Sequence, residues 1–257
     1  MKFLFSLALL AFPLFPLFPL TGWAGDGSAG LPEESAQIIL VAAEQSRATV
    51  FLLERGRGGW QQVLASMPAR IGKNGLAAGL GLHPRPGEKG LKVEGDGKTP
   101  TGIFEIPAVW GYAASVPTRM PYRQVTSRDL WVEDVDSVHY NRHLRLPHEP
   151  ASDWERKAQM RQNDLAHALK IEIAHNTRPH PEKGKGSAIF MHIWRRQGQA
   201  ATAGCVVVSE GHLRRIVAWL RPESRPVQWV VAAERLPELR RALRWGDAGG
   251  KEDPRER

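Results

Sequence analysis

Residues 186–220, GSAIFMHIWRRQGQAATAGCVVVSEGHLRRIVAWL, carry the pattern that decides the fold. The first part alternates as a β-strand and places Phe190, His192 and Trp194 on one face. After a polar loop, residues 205–208 predict a second short strand. The serine that follows can N-cap a helix with one apolar face. The stretch therefore predicts a strand–loop–strand–helix unit.

Two side chains in this unit indicate a nucleophilic site. Cys205 is the only cysteine in the chain, and His192 lies on the preceding strand. If the two strands pair, the imidazole can populate the thiolate, which is the attacking species in cysteine catalysis. Backbone N–H groups of Gly204 and Cys205 can then stabilise an oxyanion. The alternative is a small buried cysteine and an unrelated histidine, which is the commoner use of both residue types.

At these residues the sequence resembles the L,D-transpeptidase family with the YkuD-type catalytic domain. That family has a histidine on a strand, a loop, and then Ser/Thr-x-Gly-Cys, which stand here as His192 and Thr-Ala-Gly-Cys at 202–205. Two positions depart from the pattern: Ala203 replaces a frequent histidine, and Val207 replaces a frequent arginine or asparagine. The resemblance is closer to a periplasmic branch with Thr-x-Gly-Cys-Val/Ile.

A second stretch supports the same resemblance. Residues 95–102, GDGKTPTG, are similar to the family's Gly-Asp-x-x-Thr-Pro-x-Gly stretch, and we expect them to form a turn that leads into a strand at 103–106. A phosphate-binding loop is excluded by spacing, because the first glycine of that motif would fall on Lys92. We assign this stretch a structural role.

The resemblance implies a mainly β, YkuD-like β-sandwich or barrel-like catalytic domain with a few short helices over residues 37–233. It implies action on peptidoglycan stem peptides, with His192 as base and Cys205 as nucleophile. A terminal D-residue would be released and the acyl group passed to an amine, without a cofactor or a metal. Possible substrate contacts are Tyr122, Asn176, Trp194 and Thr202, with a turn-forming role as the alternative for Asn176.

The pattern of strands and turns also favours a mainly β protein. Strands are expected at 37–44, 48–54, from about 60, 169–174 and 227–233. Ser152 and Glu155 match a capping box at the start of a helix over about 153–162, and residues 236–245 predict a short basic helix. No repeat or low-complexity linker divides the chain, so we expect one catalytic domain, with a C-terminal helix and tail over 234–257.

The N-terminus predicts export. Residues 1–24 combine Lys2, an apolar run interrupted by three prolines, and small residues ending at Ala24, which is typical of a cleaved signal peptide. A membrane anchor is the alternative, although the short run and its prolines argue against a stable span. The protein would then be periplasmic or secreted.

The net charge of the chain, +8, suits an acidic partner such as cell wall or lipid headgroups, and nucleic acid is disfavoured as a partner.

Three other interpretations stay open from the sequence. His175, His180 and His192 with Cys205 offer nitrogen and sulfur ligands for zinc, but their spacing matches no zinc motif. The same fold could serve a carboxypeptidase or a cross-link hydrolase, because acceptor choice depends on the shape of the pocket. A non-catalytic wall-binding module is the third possibility. The oligomeric state is not indicated by the sequence.

Overall fold

The computed structural model describes residues 30–246. The predicted signal peptide at 1–24 and residues 247–257 of the predicted C-terminal tail lie outside this range. In the part of the chain that is described, no helix is long and apolar enough to cross a membrane.

Strands dominate the fold, as the sequence predicts. Within residues 30–246 the strands are β1 (Gln37–Glu44), β2 (Arg47–Gly56), β3 (Gly59–Gln62), β4 (Met67–Arg70), β5 (Leu76–Ala78), β6 (Thr99–Glu105), β7 (Val109–Gly111), β8 (Tyr122–Gln124), β9 (Asp129–Trp131), β10 (His143–Arg145), β11 (Leu169–Glu172), β12 (Phe190–Ile193), β13 (Val206–Val208) and β14 (Val227–Ala232). The α-helices of the same range are α1 (Asp153–Lys157), α2 (Glu210–Trp219) and α3 (Leu236–Ala242).

One large mixed sheet organises these strands. Its order is β5-β6-β14-β1-β2-β4-β13-β12-β11-β7-β8, with β3 paired to β2, while β9 and β10 form a separate two-stranded sheet. Strand β1 pairs in parallel with β14 and antiparallel with β2. The sheet thus connects the N-terminal hairpin to the β12–β13 unit through β4.

The sheet is buried on both faces near its centre. In β1, Ile39 and Val41 pack into one hydrophobic cluster, while Ile38 and Leu40 pack into a second on the other face. All four side chains are fully buried. A strand that is covered on both faces is apolar at every position, which explains the continuous run of β1. Burial of apolar surface on this scale is the main term that stabilises the fold.

The strand–loop–strand–helix unit is present. Strands β12 and β13 pair in parallel, with His192 opposite Val207. The Ser209 hydroxyl accepts a hydrogen bond from the His212 N–H at 3.2 Å and caps α2. The observed strand β12 is shorter than the strand predicted at 187–194. Ala188 takes a positive φ of 53°, and the pairing with β11 begins only at Phe190.

Other predicted elements are present with shorter bounds. The capping box between Ser152 and Glu155 exists, but α1 ends at Lys157. Strand β11 ends at Glu172, before Asn176 takes a positive φ of 54° and starts a loop. Such turns determine where helices and strands end, and the spacing of apolar residues does not predict them.

Candidate active site

Cys205 and His192 line one cavity of about 230 Å3 beside β12 and β13. Strand β12 carries His192. Cys205 directly precedes β13, whose first residue, Val206, pairs with Met191 of β12. The parallel pairing of these two strands is therefore what brings the imidazole and the thiol into the same cavity.

The His192 ring is fixed by two backbone acceptors. Its Nδ1 lies 2.9 Å from the Ile193 carbonyl oxygen and 3.1 Å from that of Ala166. Because both partners only accept, Nδ1 carries the proton and Nε2 keeps its lone pair. Burial, reinforced by the neighbouring His167, lowers the pKa of His192 to about 3. The ring is thus a neutral imidazole with one basic nitrogen at physiological pH.

The Cys205 thiol is half-buried and protonated in the resting structure. Its Sγ donates to the Ala188 carbonyl oxygen at 3.5 Å, and the described residues show no hydrogen bond between Sγ and the His192 ring. Burial raises the pKa of the thiol, and a backbone hydrogen bond from Phe190 opposes that rise. The resting pair is therefore a neutral thiol and a neutral imidazole, so attack requires proton transfer rather than a preformed thiolate.

The turn before Cys205 is held by two threonines. The Thr202 hydroxyl accepts from the Gly204 N–H at 3.1 Å and donates to the Cys205 carbonyl oxygen at 2.6 Å. The buried Thr99 hydroxyl donates to the Gly204 carbonyl oxygen at 2.7 Å. A Cβ on Gly204 would lie 3.0 Å from the Lys98 carbonyl oxygen, which explains the glycine at this position.

These contacts bear on two expected roles. The Gly204 N–H, predicted to be an oxyanion donor, is already bonded to Thr202 in this structure. Thr202 shapes the turn and does not line the cavity, and its contact with a substrate stays a prediction. The Cys205 N–H stays a prediction as the backbone donor to an oxyanion.

We expect Thr99→Val to lower the free energy of unfolding by about 1–3 kcal/mol, since a buried donor and a buried acceptor both lose their partner. The Thr99 hydroxyl accepts from the Gly72 N–H at 2.9 Å as well as donating to Gly204. Urea unfolding measures the change. Thr101→Val on the same strand is the matched control, because its half-buried hydroxyl makes one bond, to Ala77. Equal losses in the two variants would contradict the special role of Thr99.

Tyr122, Asn176 and Trp194 are not brought to the cavity. The Tyr122 hydroxyl donates to the Ala113 carbonyl oxygen at 2.6 Å, at the edge strand β8. The Asn176 amide is buried and donates to the Glu182 and Gly186 carbonyl oxygens, so it ties a loop together. That is the turn-forming alternative considered from the sequence.

Trp194 lines a different groove from the cavity that contains His192. Strand β12 ends at Ile193, and the chain then turns through Arg196 and Gln197, which have positive φ values of 48° and 52°. The Trp194 ring packs against Gly198 and lines a groove with Arg70. The expected contact between Trp194 and the substrate therefore has no support in this geometry.

The histidines proposed for zinc do not form a cluster. His175 is buried, its Nδ1 accepts from the Leu80 N–H, and its Nε2 lies 3.0 Å from the Lys185 carbonyl oxygen. Both ring nitrogens are thus used within the protein. Across residues 30–246, no group of three or more histidine, cysteine, aspartate or glutamate side chains is arranged to hold a metal ion.

Two further residues of the cavity were not identified from the sequence. His167 stacks on His192 with ring centres 5.0 Å apart, and its Nδ1 lies 2.7 Å from an oxygen of Asp164. Lys170, on β11, is opposite His192 in the sheet register. Lysine and histidine side chains are usually solvated, and the sequence does not show otherwise here. The register of β11 against β12 places Lys170 at the cavity, and the ring stack on His192 places His167 there.

The comparisons place this site inside a known domain. A family model described as YkuD, L,D-transpeptidase catalytic domain, matches residues 36–228, about three quarters of the chain. The matched range contains the β12–β13 unit, Cys205 and His192. A search of curated proteins finds no match.

Proposed function

The chain belongs to the YkuD family of L,D-transpeptidase catalytic domains, and we propose that it is an exported, cysteine-dependent acyltransferase acting on peptidoglycan stem peptides. The observation that carries this proposal is the shared cavity of Cys205 and His192 within the matched domain. A thiol and an imidazole with a free lone pair are the minimum for nucleophilic acyl transfer.

The proposed reaction begins when His192 Nε2 accepts the proton of the Cys205 thiol as Sγ attacks a peptide carbonyl carbon. That carbon belongs to the third residue of a stem peptide. The tetrahedral intermediate collapses when Nε2 returns the proton to the departing nitrogen of the terminal D-residue. A thioester on Cys205 remains. An amine of a second stem then attacks it, and the new amide bond releases the thiol.

The cavity has both positive and negative side chains, which supports a peptide substrate that carries both positive and negative charges. Lys92 and Lys170 line the cavity, and so do Glu94 and Glu133. Stem peptides present free carboxylates and, on the acceptor, a free amine. The carboxylates of the two glutamates can attract the amine of the acceptor, and the ammonium groups of the two lysines can attract the free carboxylates of the peptides.

The proposed location follows from the N-terminal sequence. Residues 1–24 read as a cleaved signal peptide, and the charge of +8 suits an acidic wall. Intact mass of protein secreted by a bacterial host tests this. A mature chain beginning near Gly25 supports export, and an uncleaved chain kept in the cytoplasm contradicts it.

Incubation with tetrapeptide-bearing muropeptides tests the reaction. We expect cross-linked dimers together with the released D-residue. Tripeptides without dimers would instead show a carboxypeptidase, and cleavage of preformed dimers would show a cross-link hydrolase. Binding to sacculi with no turnover of any of these substrates would favour the wall-binding module and overturn the acyltransferase proposal.

A further inference from the structure

Lys170 is a buried cation that forms no ion pair among residues 30–246, although the Asp164 carboxylate attracts it from a distance. Only 3% of the residue is exposed, and its Nζ donates to the Met160 carbonyl oxygen at 2.9 Å. The ammonium also lies 5.3 Å from the centre of the Phe190 ring. Over residues 30–246, no carboxylate forms an ion pair with Lys170. A buried ammonium has three N–H donors, and within residues 30–246 it meets one hydrogen-bond acceptor and the face of the Phe190 ring.

A second lysine of the same cavity shows the contrast. Lys92 is equally buried, but its Nζ is paired with an Asp96 oxygen at 2.7 Å. Asp96 also accepts from the Val93 and Lys98 N–H groups, so this pair is neutralised within the protein. Glu94 and Glu133 line the cavity too, and neither pairs with Lys170. Lys170 is therefore the lysine of this cavity that has no ion-paired carboxylate among the described residues, because Asp164, which attracts it, is itself paired with His167 and Arg195.

The position of Lys170 puts this charge beside the reacting groups. It stands opposite His192 on the neighbouring strand, and His192 stands opposite Val207 on the next, so the three residues form one row across β11, β12 and β13. Lys170 and Cys205 line the same cavity and interact electrostatically. An anion that meets the Lys170 ammonium is thus held within the space where the acyl group is transferred.

We propose that Lys170 binds the free carboxylate of the terminal D-residue of the donor peptide. This proposal rests on the acyltransferase function above. The carboxylate supplies a direct counter-ion and accepts from N–H groups of Lys170 that do not bond to the Met160 carbonyl oxygen. The terminal D-residue carries this carboxylate, and its nitrogen forms the scissile amide. Binding of the carboxylate therefore places the carbonyl carbon of the third stem residue near Cys205. An unpaired buried charge is costly, and a substrate that removes this cost gains affinity.

Burial lowers the pKa of Lys170 to about 8, and the ammonium still predominates at pH 7. A bound carboxylate favours the charged form and strengthens this state. Loss of the proton above the pKa removes the attraction. Lys170 thus keeps its positive charge at neutral pH and can attract an anion.

The test compares a donor tetrapeptide that has a free terminal carboxylate with the same peptide as its C-terminal amide. For the wild-type protein we expect kcat/KM to be higher on the acid. Lys170→Met should lower kcat/KM on the acid by about ten- to a hundredfold, through KM above all, and leave the amide within about twofold. Lys170→Arg, which keeps the charge, should retain part of the preference. Lys183→Met, an exposed lysine, is the matched control.

The outcomes separate this proposal from the proposed function. Turnover of neither peptide by the wild-type protein overturns the acyltransferase itself. Wild-type turnover with an unchanged acid preference in Lys170→Met overturns only the carboxylate site. Equal losses on acid and amide, in a variant whose thermal midpoint is unchanged, would show that Lys170 acts on the thiol instead and would also overturn it. Rescue by Lys170→Arg keeps the test decisive if the methionine variant fails to fold.

Discussion

Replacing Cys205 by alanine is expected to abolish acyl transfer to below detection, because the sulfur that forms the covalent bond is removed. No second thiol can take its place, since this is the only cysteine of the chain. Cys205→Ser should lose nearly as much, because a hydroxyl is a far weaker nucleophile than a thiol at neutral pH. Release of the terminal D-residue from a tetrapeptide measures the loss.

The fold should survive this change. Cys205 is half-buried and its Sγ makes one weak contact with the Ala188 carbonyl oxygen. We expect Cys205→Ala to lower the free energy of unfolding by about 1 kcal/mol or less, as for a small side chain beside an open cavity. Release of the D-residue by a folded alanine variant would refute the role of Cys205.

The second large effect is expected at His192. Replacing it by alanine should slow formation of the thioester by about 10²–10⁴-fold, because the base that takes the thiol proton is lost. The exposed His180 provides the matched control. His180→Ala should leave the rate unchanged. A His192→Ala variant that folds and keeps the wild-type rate would contradict general-base catalysis by this ring.

The pH dependence distinguishes this role from a preformed ion pair. His192, with a pKa of about 3, is neutral over the working range, and burial keeps the pKa of the thiol above its usual value. The wild-type rate of thioester formation should therefore change little between about pH 6 and 7.5. In His192→Ala the rate depends on the free thiolate, and it should rise about tenfold per pH unit. A bell-shaped wild-type profile within this range would instead indicate a thiolate–imidazolium pair.

The sequence predicts the central unit because local signals agree there. The alternation over 187–194, the cap at Ser209 and the apolar face of α2 all favour strand–loop–strand–helix, and the structure contains it. The mainly β class follows from the same kind of signal in β1 and β14. Each of these signals is set by neighbours along the chain and not by contacts formed at a distance.

The rest of the site depends on such distant contacts. Trp194 shares a face with His192 only if the strand continues, and it stops at Ile193. The proposed role of Lys170 depends on the pairing of β11 with β12, which brings Lys170 opposite His192, twenty-two positions further along the chain. The bond between Thr202 and Gly204 is local, but it depends on the conformation of the turn, which the spacing of residue types does not predict.

The most direct test of the central claim is mass spectrometry of the protein quenched during turnover of a donor tetrapeptide. We expect an adduct with the mass of the acyl tripeptide on the tryptic peptide that contains Cys205. Hydroxylamine should remove it, as it does other thioesters, and Cys205→Ala should show no adduct. D-residue release that proceeds without an adduct on Cys205, or an adduct on another residue, would contradict the proposed nucleophile.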